Sequence, residues 1–189
     1  MKYLKPILLA AVAVLSIRPA PAREYRVTLD SVAAVLETAR PGDRIVVEEG
    51  TYRDMELKWR GAGAEGKPVR IEAATPGGVV IGGASTLRIA GRWLEISGFD
   101  FRDGYAPSGS VIEFRCGREV ADDCRLTECV VEGYNPVRRD QAYSYVLLFG
   151  RRNRVDHCTL TGKLNLGVTL IVMLNEPRSC LLYTSDAAD

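Results

Sequence analysis

This sequence predicts an all-β fold, a parallel β-helix of stacked coils, and three observations carry that prediction. Short β-rich runs separated by glycine, proline and Asn/Asp clusters fill the chain from Arg44 to Leu174. One apolar pattern recurs: Ile96-x-x-Phe99-x-Phe101 lies over Leu126-x-x-Cys129-x-Val131 at a shift of 30, and Val155-x-x-Cys158-x-Leu160 follows 29 further on. A second pattern recurs in the same order: Val111-Ile112-Glu113-Phe114, then Val146-Leu147-Leu148-Phe149 at a shift of 35, then Leu170-Ile171-Val172-Met173 at 24. Two ladders in one order mean at least two strands per repeat, a solenoid whose like residues stack at the strand spacing. A β-sandwich also has many short strands, but nothing in it holds an apolar pattern at a constant shift near 30.

Taken in order, the elements begin with an export signal at residues 1–22. Lys2 and Lys5 make the basic region, Pro6–Ile17 the apolar one, and Ala20-Pro21-Ala22 the small-x-small cleavage pattern, so the mature chain is expected to start at Arg23. The apolar run is too short to cross a bilayer as a helix. Cleavage would remove Lys2, Lys5 and Arg18 and no acid, taking the net charge from +1 to −2, and would deliver the protein to the periplasm or the medium. Ser31–Ala39 is the one helix candidate, with Asp30 as N-cap, Val32, Val35 and Leu36 on one face, and Pro41-Gly42 as its stop. It is placed to cover the N-terminal end of the solenoid, whose open backbone would otherwise invite pairing.

The expected strands are Arg44–Val47, Val69–Ala73, Val79–Ile81, Leu87–Ala90, Leu94–Phe101, Val111–Phe114, Leu126–Val131, Val146–Phe149, Val155–Leu160 and Val168–Leu174. They assign residues 23–176 to the coils. From Pro177 to Asp189 the pattern stops, and that tail resembles translated sequencing read-through, a non-native segment to be left out of the fold. No second cap pattern follows Leu174, as expected of a solenoid cut across its coils, and such a cut predicts poor solubility.

Composition narrows the function classes. The 189 residues, 47% hydrophobic and 26% charged, suit one globular domain and exclude a disordered chain. A net charge of +1 excludes a nucleic-acid binder held by bulk positive charge. One histidine and five cysteines without a CxxC pair exclude a zinc finger or ribbon. Glu48-Glu49 and Asp122-Asp123 are strand neighbours pointing to opposite faces, so no metal site is assigned. Cys129 and Cys158 share a ladder position at a spacing of about 4.8 Å, wide for a disulfide, and read as packed free thiols. Cys116 and Cys124 bracket Gly117–Asp123 and could close it in an oxidising compartment; the sequence leaves that open.

Ala39-Arg40-Pro41-Gly42-Asp43-Arg44-Ile45-Val46-Val47 with Glu49-Gly50-Thr51-Tyr52 resembles the opening of right-handed β-helix proteins of the pectate-lyase type. Ser110-Val111-Ile112-Glu113-Phe114-Arg115, Cys124-Arg125-Leu126-Thr127, Asn153-Arg154-Val155-Asp156-His157-Cys158 and Gly162-Lys163 are similar to polysaccharide lyase family six, the alginate lyases and chondroitinase B. The likeness runs from Val27 to Leu174. It implies β-elimination on a uronate polymer, alginate first. A calcium ion would neutralise the substrate carboxylate, a lysine would take the C5 proton, and an arginine would assist the leaving oxygen. No residue here matches the family's calcium ligands or its lysine–arginine pair. Those are expected beyond residue 174, leaving this chain without catalytic residues and inactive.

For substrate binding the resemblance points to His157, Lys163, Arg154 and Asn165. His157 reads equally as an outward residue turning the coil. Arg154 and Lys163 belong with Arg138, Arg139, Arg151 and Arg152 to a cationic set that suits carboxylates, or that is simply a solvated surface. Asn153 reads as a corner asparagine bonding backbone groups, and Asn165 could face the cleft. A non-catalytic polysaccharide-binding β-helix is the alternative function. A pectinase-type hydrolase would need paired carboxylates on one face, which residues 23–174 do not supply.

Overall fold

The computed structural model describes residues 21–174, so most of the expected signal (1–22) and all of the tail from Pro177, with Cys180, lie outside the described residues. The chain is a parallel β-solenoid. It opens with β1 (Glu24–Val27), a 3-10 turn (Leu29–Ser31) and α1 (Val32–Leu36). Three-strand coils follow: β2 (Arg44–Val47), β3 (Gly50–Arg53) and β4 (Glu56–Ala62); then β5 (Val69–Ala73), β6 (Val79–Gly83) and β7 (Thr86–Arg92). Next come β8 (Leu94–Ser97), β9 (Phe99–Gly104) and β10 (Ser110–Glu113), and a hairpin of β11 (Arg115–Cys116) and β12 (Glu119–Asp122). The last two coils are β13 (Arg125–Thr127), β14 (Val130–Glu132) and β15 (Ser144–Leu148), then β16 (Arg154–Asp156), β17 (Thr159–Thr161) and β18 (Leu170–Val172).

Each coil gives one strand to each of three sheets. The first sheet stacks β1-β2-β5-β8-β13-β16, the second β3-β6-β9-β14-β17, and the third joins β4, β7, β10, β15 and β18, with β12 beside β7. The first ladder read from the sequence is realised residue for residue: Leu126 pairs with Ile96 and Val155, and Val131 with Phe101 and Leu160. The second ladder is shifted by one residue at its first step, because Ile112 pairs with Val146 and Glu113 with Leu147. Val146-Leu147-Leu148 is apolar at every position, so nothing in it marks which residues face inward, and a one-residue slip exchanges faces.

Inward residues fill one column: Ile45, Ile71, Ile96 and Leu126 from the first sheet, Ile81, Phe101 and Val131 from the second, and Leu57, Leu87, Ile112 and Val146 from the third, all buried. Trp59 meets Phe99 with ring centroids 5.4 Å apart, and Phe101 meets Tyr134 edge-on at 6.0 Å. The helix is shorter than Ser31–Ala39, and Ser31 caps it without a side-chain bond. β-Branched Val32 and Val35 are poor helix formers, and Thr38 turns its hydroxyl back to the Val35 carbonyl at 3.2 Å. Leu29, Val32 and Leu36 are nonetheless buried at the start of the column, where the second and third sheets have no earlier strand.

Asp43, 2% exposed, ties this end together. It accepts the backbone N–H groups of Arg23 and Arg40, both at 2.9 Å, and the Arg23 guanidinium at 2.7 and 3.1 Å. Burial works against its ionisation, but the bonds from Arg23 and Arg40 outweigh it and hold the carboxyl below its ordinary range.

Candidate functional site

The residues singled out for substrate binding lie within one coil, and the coil's corners separate them into two groups. Arg154 opens β16 on the outer face of the first sheet. His157 sits in the bend to β17 with φ +51°, the position held by Glu128 (φ +53°) one coil earlier and Gly98 before that. Its ring is 70% exposed. Arg154 Nε and His157 Nδ1 both approach Asp156, at 2.5 and 3.7 Å. Arg125 from the previous coil grips the same carboxylate with two bonds of 3.0 and 2.9 Å. Asp156 is desolvated, which opposes its charge, but the bonds from Arg125 and Thr127 prevail and lower its pKa.

Alternate residues of a strand share a face, so stacking turns this motif into a surface. Arg44, Arg70, Glu95, Arg125 and Arg154 follow one another across five first-sheet strands. That line holds four cations and one acid, Glu95. The carboxylates that balance them, Glu72 and Asp156, stand one step along each strand pair.

The second group, Lys163 and Asn165, occupies the long loop between β17 and β18. Lys163 Nζ donates to the carbonyls of Asn165, Leu166 and Gly167 at 2.6, 3.1 and 3.0 Å and lies 5.3 Å from the Tyr143 ring centre. Desolvation lowers its pKa. Asn165 is buried and donates to the Arg138 carbonyl at 2.6 Å, while its Oδ1 has no partner. Asn135, which sequence reasoning passed over, joins this loop to the one before it through the Gly162 carbonyl (2.7 Å) and the Leu164 N–H (2.9 Å). Its signal was present: Asn135 and Leu164 are 29 positions apart, the coil period.

Asn153 satisfies the backbone at the opposite corner. Its Oδ1 accepts from Cys124 N at 2.9 Å and its Nδ2 donates to the carbonyls of Ala121 and Phe149 at 2.6 and 2.7 Å. Arg138 pairs with Asp140 on the surface, and Arg152 with Asp123. Cys116, Cys124, Cys129 and Cys158 are free thiols. Burial pushes the Cys124 thiol up to about 12. The insertion Gly117–Asp123 is held by the β11–β12 pairing and by β12 lying along β7.

Glu113 has no role that the sequence marks. On the third sheet it lies 3.5 Å from Arg88 and 2.8 Å from Arg115, whose guanidinium stacks 3.8 Å from the Phe149 ring centre. Burial lowers the pKa of Arg88. Arg88 and Glu113 are direct neighbours in the strand register, which only the correct third-sheet ladder reveals. A cleft of about 720 Å³ between α1, β4 and β12 contains none of the four predicted residues. Among the described residues no cluster of three or more His, Cys, Asp or Glu could hold a metal ion.

The family model described as Chondroitinase B matches residues 27–183. Among solved structures the chain is similar to AlyGC, an alginate lyase of polysaccharide lyase family six: 39% identity, TM-score 0.78, covering 82% of this chain and 22% of that one. It is similar to a mannuronic acid specific family six lyase from human gut microbiota: 31% identity, TM-score 0.71, covering 79% of this chain and 36% of that one. A family six polysaccharide lyase from Pseudopedobacter saltans shares the fold at 24% identity and TM-score 0.72, covering 81% of this chain and 34% of that one. A comparison with curated proteins found no match. The chain therefore corresponds to about a fifth to a third of the length of these solved relatives.

Proposed function

The chain belongs to the chondroitinase B family, polysaccharide lyase family six, and from that premise we propose that it is the N-terminal part of an exported lyase that cleaves alginate or a related uronate polymer by β-elimination. The observation that carries this reading is 39% identity to an alginate lyase over 82% of the chain, in a solenoid whose coils stack in register. Alginate is chosen because two of the similar proteins are described as acting on it or on mannuronic acid.

Within this reading the four residues contribute binding rather than chemistry. Arg154 and His157 flank Asp156 on an arginine-rich face suited to carboxylates. Lys163 and Asn165 shape the loop between β17 and β18. In this proposal calcium and the proton-abstracting lysine are supplied by sequence beyond Leu174, and this chain alone is inactive. Export rests on the basic and apolar pattern of residues 1–22.

The test is to read the source locus past codon 177, express the whole frame, and assay it with calcium on polymannuronate and polyguluronate. Ultraviolet absorbance of an unsaturated product is expected from the longer enzyme and none from this chain. Saturated product ends would sink the lyase reading. The arginine-lined first sheet also favours a second reading, a non-catalytic polysaccharide-binding solenoid. That reading predicts retention on an alginate gel with no unsaturated product from the whole frame.

A further inference from the structure

We propose that the corner between the third and first sheets carries a binding pocket for an acidic sugar residue, built from Trp93, Arg70, Arg125, Arg152 and Arg154. Its basis is a repeat in backbone conformation that the sequence does not announce. Trp93, Asp123 and Arg152 each come two residues before the stacked Glu95, Arg125 and Arg154, and all three are left-handed, with φ of +54°, +54° and +53°. Bulky side chains rarely adopt this conformation, and where they do the surrounding structure imposes it. Here Trp93 N–H donates to the Asp122 carbonyl at 3.1 Å, Asp123 N–H to Arg151 at 2.9 Å, and the Trp93 carbonyl accepts Val69 N–H at 3.0 Å. The column therefore holds three side chains on the outside of one corner, a coil spacing apart.

These side chains line a pocket of about 410 Å³ together with Arg70, Glu95, Arg125 and Arg154. That volume lies within the range of small-ligand sites. Four guanidiniums meet three carboxylates, Glu95 and Asp123 in the lining and Asp156 beside it, which holds both Arg125 and Arg154. Asp123 is paired to Arg152 at 2.5 and 2.7 Å, whereas Glu95 stays 3.6 and 3.7 Å from Arg70 and Arg125, beyond hydrogen-bond contact. Arg154 turns Nε to Asp156 and is otherwise 63% exposed. The excess positive charge and the planar N–H forks suit a carboxylate, and the half-buried indole of Trp93 offers a flat apolar face to the C–H side of a pyranose ring. A hexuronate carries both features. This choice of sugar rests on the uronate reading above; the pocket is at a different corner from Lys163 and Asn165.

The chain has two tryptophans, and Trp59 is 1% exposed in the core, so a ligand-dependent change in emission reports on Trp93. The test titrates the folded full chain with saturated mannuronate and guluronate tetramers, by fluorescence and calorimetry together, with a neutral cello-tetraose and a sulfated dextran as further probes. The expected result is a saturable emission shift with the uronates and none with the neutral sugar. Arg70→Gln and Arg154→Gln should each weaken calorimetric binding ~10-fold, the effect of losing a hydrogen bond to a charged group. Trp93→Gly, which accepts the left-handed backbone, should abolish it. Uronate binding that survives Trp93→Gly and Arg70→Gln within about twofold places the sugar elsewhere and overturns the pocket while leaving the lyase reading intact. No uronate binding at all also overturns it, and the assay of the whole frame then decides the lyase reading separately. A shift with sulfated dextran but not with uronate overturns the sugar assignment.

Discussion

The corner between the third and first sheets and the corner between the second and third sheets solve the same problem in opposite ways. At the first, the chain turns within a few residues. Gly91 and Gly150 sit there at φ +101° and +83°, and a Cβ on either would lie 2.0 and 1.9 Å from the carbonyl oxygens of Gly61 and Ala121 in the coil below. Asn153 closes the remaining backbone groups. At the second corner the chain turns in two residues in the early coils, 54–55 and 84–85, then runs through loops of differing length, 105–109, 133–143 and 162–169. The last two bond to each other through Asn135 and Asn165, and Lys163 closes the last upon itself. The contrast teaches that the tight corner is governed by the stack and so produces columns of like conformation. The loose corner is governed by its own side chains and so varies freely.

That comparison is broken most severely at the tight corner. Gly91→Ala drives a Cβ into backbone that cannot yield and adds strain at positive φ; a loss of roughly 3 kcal/mol or more is expected, read by urea unfolding. Next, Asn153→Ala leaves Cys124 N–H and two carbonyls without their partner at a half-buried corner. About 2 kcal/mol should be lost, lowering the midpoint of thermal unfolding by roughly 4–8 °C.

Acid sharpens the contrast further. Asp43 and Asp156 have folded-state pKa values below their unfolded values, so the stability they give is present above the unfolded value of about 3.9 and is lost as pH falls through the folded values. Thermal midpoints should therefore fall from pH about 4 downward, and less steeply in Asp156→Asn. The smallest global effect is expected from Lys163→Met, about 1 kcal/mol, because its three carbonyl partners can turn to water. Its signature is local: faster amide exchange in 162–169 with the first-sheet strands unchanged. Equal acceleration in both regions would show that the loose corner is coupled to the stack.

The same contrast explains what could be read from the sequence. The first ladder was legible because Ile96, Leu126 and Val155 each begin a run with a bend at the third residue, so pattern and turn agree. The third sheet was less legible: β4 alternates Glu-Leu-Lys-Trp-Arg-Gly, a strand pattern with only two large apolar residues, and the Val146–Phe149 run carries no alternation at all. The expected binding residues are close in sequence but divided by corners, because a triangular coil turns neighbours away from one another. Trp93 and Arg152 show the converse, since residues 59 positions apart line one pocket through two coil shifts and only stacking connects them.

One further consequence belongs to Asp43. The backbone nitrogen it holds at 2.9 Å is that of Arg23, the residue expected to become the first of the mature chain. Scission of the Ala22–Arg23 bond would replace a neutral amide by a primary amine facing a buried anion. The adjacent carboxylate would favour the protonated amine, and a hydrogen bond would become an ion pair. Proteolytic maturation would then act as a latch on the first coil, and the processed protein should resist unfolding better than its precursor, most clearly near neutral pH.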